Sequence, residues 1–423
     1  MTQYGNIRWA LCALVLGVLG PGAAWAQQPP IATGGNGFKV GEGRLHPFFD
    51  LEMRVDSAVG YFPNDATPDP NDVTDVLSPE LVLRLRPGLK LDVPSPKVAL
   101  SATGRLEYVR YTGLLTKQST YSSHLEGSAD VTAHFNPQGQ VGFVLADQFI
   151  RSDQTRNTAL GAGVLSLFNE LRASVPIKPG GGAIEVVPKA AWGIEFFEPI
   201  GLAIPVGCTE GVCDPVTVDA FDYTNLNGGV EARWRFLPKT AVVLDANLDL
   251  RSYLRVTTSP SALLLRAMGG LAGLVSSKIA VTAKAGWAQN FSAAGGSTLI
   301  AQLEGNYLFS PTMTFKGGYA RTLNPVASYG LFQDNRGYAE ARALFGGKLV
   351  MHGYVGVDFL SFYDPVRPRS DLVLNLDVGP EYQFKPWLVG AAGYMMNSRS
   401  SSVTGAGLNF IRHEAYLRAT VVY

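Results

Sequence analysis

Three stretches of this chain alternate apolar and polar residues regularly enough to read as long strands. From Asp371 to Lys385, one parity holds Leu372, Leu374, Leu376, Val378, Tyr382 and Phe384; the other holds Asp371, Asn375, Asp377, Glu381, Gln383 and Lys385. From Val242 to Arg255, Val242, Leu244, Ala246, Leu248, Leu250 and Leu254 oppose Asp245, Asn247, Asp249, Arg251 and Arg255. From Leu81 to Asp92, Leu81, Leu83, Leu85, Leu89 and Leu91 oppose Arg84, Arg86, Lys90 and Asp92. A strand throws successive side chains to opposite faces, so each run has one apolar face and one wet face. Each exceeds the ~5–6 residues usual in soluble sheets and suits the ~9–11 of a tilted membrane strand.

Turn signals separate these runs in two alternating kinds. Short ones fall near Pro94-Ser95-Pro96, Asn136 to Gly139, Lys178-Pro179-Gly180, Leu237-Pro238-Lys239, Ser276-Ser277, Ser310-Pro311-Thr312, Gly346-Gly347 and Lys385-Pro386. Longer polar connections run from Gly60 to Thr74, Thr112 to Tyr121, Pro199 to Pro215, Leu323 to Gln333, Asp364 to Ser370 and Asn397 to Asn409. Alternation of short and long is expected when short turns lie on the periplasmic side and long loops outside. Counting strands between the turns predicts an all-β fold, a single antiparallel up-and-down barrel of about 18 strands from Arg44 onward, with both termini periplasmic. Weak patterning in Ala262 to Val275 and Trp387 to Met396 leaves the count between about 16 and 20. Phe135, Phe236, Phe309, Phe345 and Phe384 each precede a short turn, where an interfacial aromatic girdle belongs. The plainer reading of any one of them is that Phe favours strands.

The N-terminal residues agree with export. Arg8 precedes an apolar run from Trp9 to Leu19, and Ala24-Trp25-Ala26 supplies a small-x-small cleavage site. That reads as a signal peptide over residues 1–26, since a membrane span needs about 20 apolar residues. Cys12 lies within the run, where a lipid-modified cysteine would follow it. Residues 27–43 read as a flexible Pro/Gly/Gln-rich leader, too short for a plug domain, and 44–423 as the barrel. Charged residues are 17% of the chain, below the ~25% of soluble domains, and Gly is high at 47 residues. Zero formal net charge argues against nucleic acid and against a polybasic membrane patch. With 46% apolar residues and no uninterrupted helical span, a large soluble β protein or a closed barrel remains.

The stretch Arg412 to Tyr423 puts Ala415, Leu417, Ala419, Val421 and Tyr423 on one parity and ends on the aromatic. It resembles the closing strand of bacterial outer-membrane barrels, which implies that Leu417, Ala419, Val421 and Tyr423 act as the signal for the barrel assembly machinery. At the other end, Arg44 to Ser57 has Pro47, an alternating strand, and Asp56 before the small Ser57. This resembles the opening of the β-barrel porin-2-like outer-membrane family, and Asp75 to Asp92, with Ser78-Pro79 and Arg86-Pro87-Gly88, resembles its second strand. The resemblance extends to the whole barrel in architecture and to these two segments in motif. It implies the outer membrane of a Gram-negative bacterium. Some relatives are similar to barrels of exopolysaccharide export, which implies periplasmic export proteins as partners.

Local chemistry is sparse. Cys208 and Cys213 share one long connection and read as a disulfide, with free thiols or a metal site as alternatives. The histidines 46, 124, 134, 352 and 413 stand singly, with no His-x-x-x-His pair and no Gly-x-Ser-x-Gly elbow. A Ser–His pair meeting across strands is the one hydrolase route left open, and nothing local points to it. Asp65, Asp69, Asp72 and Asp75 are spaced for a solvated loop rather than a calcium loop. No cofactor or metal is expected, and no enzyme.

The predicted lumen carries the remaining information. Parity points Arg84, Arg86, Glu231, Arg233, Arg235, Asp245, Asp249 and Arg251 inward, and likewise Glu340, Arg342, Asp377, Glu381, Glu414 and Arg418. Mixed signs suit neutral hydroxylated solutes without ion preference; ion pairs that brace the wall are the alternative role. The expectation is a passive conduit, for export of a polysaccharide or similar polymer, with an uptake porin or a structural barrel as the other readings.

Overall fold

The computed structural model describes residues 37–57, 79–115, 123–153, 164–199, 221–254, 261–292, 295–326, 330–363, 368–403 and 409–423. Its strands in chain order are β1 (Phe38–Val40), β2 (Gly43–Asp56), β3 (Glu80–Val93), β4 (Val98–Tyr111), β5 (His124–Phe135), β6 (Phe143–Ser152), β7 (Val164–Ser174), β8 (Ile184–Pro199), β9 (Tyr223–Leu237) and β10 (Thr240–Tyr253). There follow β11 (Ala262–Leu274), β12 (Ile279–Asn290), β13 (Ser297–Ser310), β14 (Met313–Val326), β15 (Gly330–Phe345), β16 (Leu349–Phe362), β17 (Arg369–Lys385), β18 (Leu388–Ser401) and β19 (Phe410–Val422). Each strand from β2 to β19 pairs antiparallel with its chain neighbours, and β19 pairs back onto β2 from Glu414↔Asp56 to Val422↔Phe48. Short β1 forms a hairpin with β2, so part of the expected flexible leader is ordered. The result is a closed, up-and-down barrel of 18 strands.

The barrel is apolar outside and polar inside. On β2, Phe49, Leu51, Met53 and Val55 are exposed while Asp50, Glu52, Arg54 and Asp56 are buried. On β19 the contrast is sharper, with Leu417 56% exposed and Glu414 1%. Only a lipid surround makes that arrangement favourable, because closure leaves no unpaired strand edge in hydrocarbon. The protein has the architecture of an outer-membrane barrel. Among the described residues no helix is long and apolar enough to cross a membrane.

Short turns gather at one end, and the strand ends that lead into the long connections lie at the other. Phe345 to Lys348 closes a two-residue turn with Gly346 and Gly347 at φ 56° and 69°. Both values lie in the left-handed region that favours glycine, and they match the twist of the flanking strands. The five phenylalanines before short turns all stand exposed on the outer face at this end. Phe135 meets Phe143 and Phe309 meets Phe315 across their hairpins, while Phe236 meets Trp234 and Phe384 meets Tyr382 along their own strands.

The wall overlaps itself at one place. β13 and β14 pair as far as Ala301↔Arg321 and then part, whereas β14 and β15 stay paired to Val326↔Gly330. Beyond the parting, Leu323 and Leu331 pack on Leu264, Ala288 and Ile300, which face inward from β11, β12 and β13. The far end of the β14–β15 hairpin therefore lies inside the barrel. This corrects the expectation of a polar loop from Leu323 to Gln333, most of which is strand. Likewise β18 continues to Ser401 through the expected connection from Asn397, and the weakly patterned Ala262 to Val275 is strand β11.

Removing Leu417 to Tyr423 deletes six of the nine pairs that close β19 onto β2 and five of the twelve that join it to β18. Each backbone group left unpaired in lipid costs several kcal/mol. The truncated chain should lose the heat-modifiable gel mobility of a closed barrel, whereas Cys208→Ser with Cys213→Ser should keep it. Normal mobility of the truncated chain would show that closure does not rest on this pairing.

Candidate functional site

The lumen is the candidate site, and its best-defined part is a lattice of buried ion pairs along β19, β2, β3, β4 and β5. Alternation on these strands puts acids and bases on the inner face, and the sheet register brings them side by side. Arg412 of β19 reaches across the closing seam to Asp56 of β2, with its Nη2 2.6 Å from Asp56 Oδ2. Arg54 returns across the same seam to Glu414 at 2.8 Å and also holds Glu52 at 2.6 Å. Arg86 bridges Glu52 at 2.7 Å and Glu107 at 2.9 Å. Arg84 continues the chain to Glu107 at 2.9 Å and Glu126 at 3.7 Å. Members of this lattice are almost wholly removed from solvent, Glu52 completely so. A second cluster lies on β17 and β18, where Asp371 accepts from both Arg369 and Arg399.

Opposite in character is the inserted hairpin. Two inward arginines pin it through its backbone. Arg266 of β11 donates to the Leu323 carbonyl at 3.0 and 3.2 Å and to Asn324 Oδ1 at 3.3 Å. Arg251 of β10 donates to the Pro325 carbonyl at 2.9 Å and lies 4.0 Å over the Tyr223 ring. On the hairpin's other side, Val326 and Phe332 pack with Leu360 and Phe362. The Phe362 ring in turn carries Arg369 at 4.4 Å. The hairpin is thus held on one flank by cation–carbonyl bonds together with packing on Leu264 and Ile300, and on the other by apolar contact.

The residues expected to line the lumen all lie on the face opposite the apolar belt, and most are already answered by a neighbour. Arg84 and Arg86 sit in the seam lattice. Glu231 pairs with Arg233, Arg235 with Glu185, and Asp245 with Lys189 at 3.2 Å. Asp249 pairs with Arg266, Glu381 with Arg418 and Glu414 with Arg54. Asp377 accepts from His352 at 3.4 Å. Glu340 stands across from Lys316 in the register of β14 and β15, and Arg342 across from His352 on β16. Of the expected assembly residues, Leu417, Val421 and Tyr423 are exposed on the outer face, and Phe38 packs on the Tyr423 ring at 4.9 Å. Tyr423 also donates its N–H to the Pro47 carbonyl. Cys208 and Cys213 lie outside the described residues, as do Asp65, Asp69, Asp72 and Asp75.

Sequence reading missed Asp56, Glu52, Arg54, Glu107, Glu126 and Arg412 as lumen groups. The signal was there, since Asp50, Glu52, Arg54 and Asp56 alternate through β2. What one strand cannot show is that its neighbours in the register carry the opposite charge. His124, Glu126 and Asp153 also converge, with ligand atoms within 4.8 Å of one another. Arg84 stands 3.5 Å from Asp153 and 3.7 Å from Glu126, so a guanidinium already supplies the positive charge there.

Arg412→Ala removes the guanidinium that pairs with the buried Asp56 carboxylate, and loss of one partner from such a pair costs about 3–5 kcal/mol. Lys90→Ala breaks a pair whose members are about half exposed, which is worth ~1 kcal/mol or less. The midpoint of guanidinium unfolding, followed by tryptophan fluorescence, should fall clearly for Arg412→Ala and little for Lys90→Ala. Equal midpoints would mean the seam is held by backbone pairing alone.

No family model matches the sequence, and no curated protein matches it. Solved structures similar in form include OccAB4 of Acinetobacter baumannii, at 10% identity over 90% of this chain and 98% of that one, with a TM-score of 0.46. The outer membrane protein OpdK of Pseudomonas aeruginosa gives the same identity, coverage and TM-score. The FrpB iron transporter of Neisseria meningitidis is 8% identical over 86% of this chain and 63% of that one, with a TM-score of 0.46. At this distance the likeness is one of overall barrel form, and the reading of the lumen rests on this chain's own geometry.

Proposed function

We propose that the barrel is a passive conduit for neutral, hydroxylated solutes and not an enzyme. The observation that carries this is the internal neutralisation of the lumen. Inward carboxylates and guanidinium groups are spent on each other, from Arg412–Asp56 through Arg84–Glu107 to Asp249–Arg266. A solute then meets oriented hydrogen-bonding groups without an uncompensated field of either sign. A bare barrel of 16–18 strands leaves an aqueous channel, and here the β14–β15 hairpin takes up part of it. A narrowed lumen favours small solutes, so uptake of sugar-like molecules is the first reading. Export of a polysaccharide is the second, favoured by the resemblance of Arg44 to Ser57 and calling for periplasmic export proteins as partners. In both, the short turns and termini face the periplasm, and the assembly machinery reads the strand that ends at Tyr423.

Liposomes carrying the purified barrel should swell in isotonic monosaccharide, more slowly in larger oligosaccharides, and show potassium and chloride permeabilities within about threefold of each other. Strong ion selectivity would overturn the reading. Absence of both swelling and conductance would favour a blocked structural barrel. Loss of a surface polysaccharide on gene deletion, without sugar-driven swelling, would favour export.

The hairpin gives a separate expectation. Arg251→Ala with Arg266→Ala removes the bonds to the Leu323 and Pro325 carbonyls and should raise single-channel conductance and its noise in planar bilayers. Unchanged current would mean that apolar packing on Leu264 and Ile300 holds the hairpin without them.

A further inference from the structure

Among the described strands, carboxylates lie on the inner face or at a strand end, with one exception. Asp147 is the fifth of ten residues of β6, and its neighbours on the same face across the sheet are Val131 of β5 and Leu171 of β7. Val131 and Leu171 are exposed on the outer belt, so Asp147 shares that belt at mid-strand. Its described partner is a single amide. Asn169 Nδ2 donates to Asp147 Oδ1 at 3.2 Å and to Oδ2 at 3.3 Å. The cation on the same face, Arg151, is already 2.8 Å from Glu198 at the long-connection end. Hydrocarbon offers this carboxylate no donor, and an ionisable group inside a membrane calls for a partner.

We propose that the outer face of β5–β7 is an interface for a second copy of this chain. Three observations favour a copy over lipid. The patch is self-complementary, because it holds a carboxylate acceptor beside an asparagine amide whose other N–H reaches the Gln148 carbonyl at 3.3 Å; a two-fold axis lets Asn169 of each copy exchange that long bond for one to Asp147 of the other, the isologous form of contact. Small and large residues alternate around it, with Ala129 beside Phe149 and Ala133 beside Leu145 in the register. Small residues let strands of two barrels approach closely in lipid. Among the described residues the wall is also lowest here. β6 and β7 have ten and eleven residues, against 12 to 17 in the other barrel strands. A copy related by symmetry has the same short stretch, so two low walls match each other where a bilayer must thin.

The full chain, purified in mild detergent, should show at least twice the monomer mass by light scattering. Asp147→Leu with Asn169→Leu should reduce it to the monomer while keeping heat-modifiable mobility. In a Cys208→Ser, Cys213→Ser background, Leu171→Cys should form disulfide-linked pairs in native membranes in preference to Leu417→Cys, which lies on β19. This second measurement decides the matter if the double leucine variant does not fold. A monomeric parent, an unchanged mass in a folded double variant, or equal cross-linking at the two cysteine positions would each overturn the proposal, leaving Asp147 as a lipid-facing acid held by Asn169 alone.

Discussion

The pairing of β19 with β2 is the constraint on which the rest of this molecule depends. A sheet immersed in hydrocarbon can leave no edge, so the last strand must meet the first in a fixed register. That register decides which side chains share a face. It sets Arg412 beside Asp56 and Arg54 beside Glu414, all four on the inner side. A one-residue slip of β19 would turn Arg412 and Glu414 out into lipid and bring Leu417 into the lumen beside the charges of β2. Closure and charge pairing therefore enforce one another. The backbone supplies most of the stability, and the ion pairs exclude the wrong register.

The inserted hairpin answers a different problem. An 18-strand wall encloses more space than its own side chains fill. Letting β14 part from β13 sends the hairpin end inward, where both of its faces find partners. One face covers Leu264 and Ile300, the other joins Phe332 to Leu360 and Phe362. The carbonyls that lose strand partners by leaving the wall regain donors from Arg251 and Arg266. Guanidinium suits this task because its planar fork donates to several acceptors at once while its charge stays close to Asp249.

Strand number, in-out parity and the girdle were legible in the sequence because each follows from period two and turn residues alone. The hairpin was not, and the reason is physical. Alternation reports burial on one side. Leu323, Pro325, Val326, Leu331 and Phe332 are buried from both sides, so their parity carries no signal. The same contact explains the weak pattern of Ala262 to Val275. Leu264 points inward yet is apolar, because Leu323 and Leu331 cover it. The misread loop and the weak strand are two sides of one interface. Lumen charges were legible by position, but not in their pairing, which depends on register between strands far apart in sequence, such as Asp56 and Arg412.

Parity also sorts the carboxylates by role. Glu52 and Asp147 are both acids at the middle of a strand, and neither has bulk water around it. Glu52 stands between Arg54 and Arg86, and two guanidinium groups offset the loss of hydration. Asp147, on the opposite face of the same wall, has the Asn169 amide, while Arg151 on its own face is held by Glu198. A neutral amide compensates a buried carboxylate far less than a guanidinium does. The lumen therefore holds its acids in balance within one chain, while the belt leaves one acid whose hydrogen bonding is incomplete. In a lipid-facing position an incomplete acceptor is satisfied from outside the chain, and the donor nearest in chemistry is the same asparagine on a second copy.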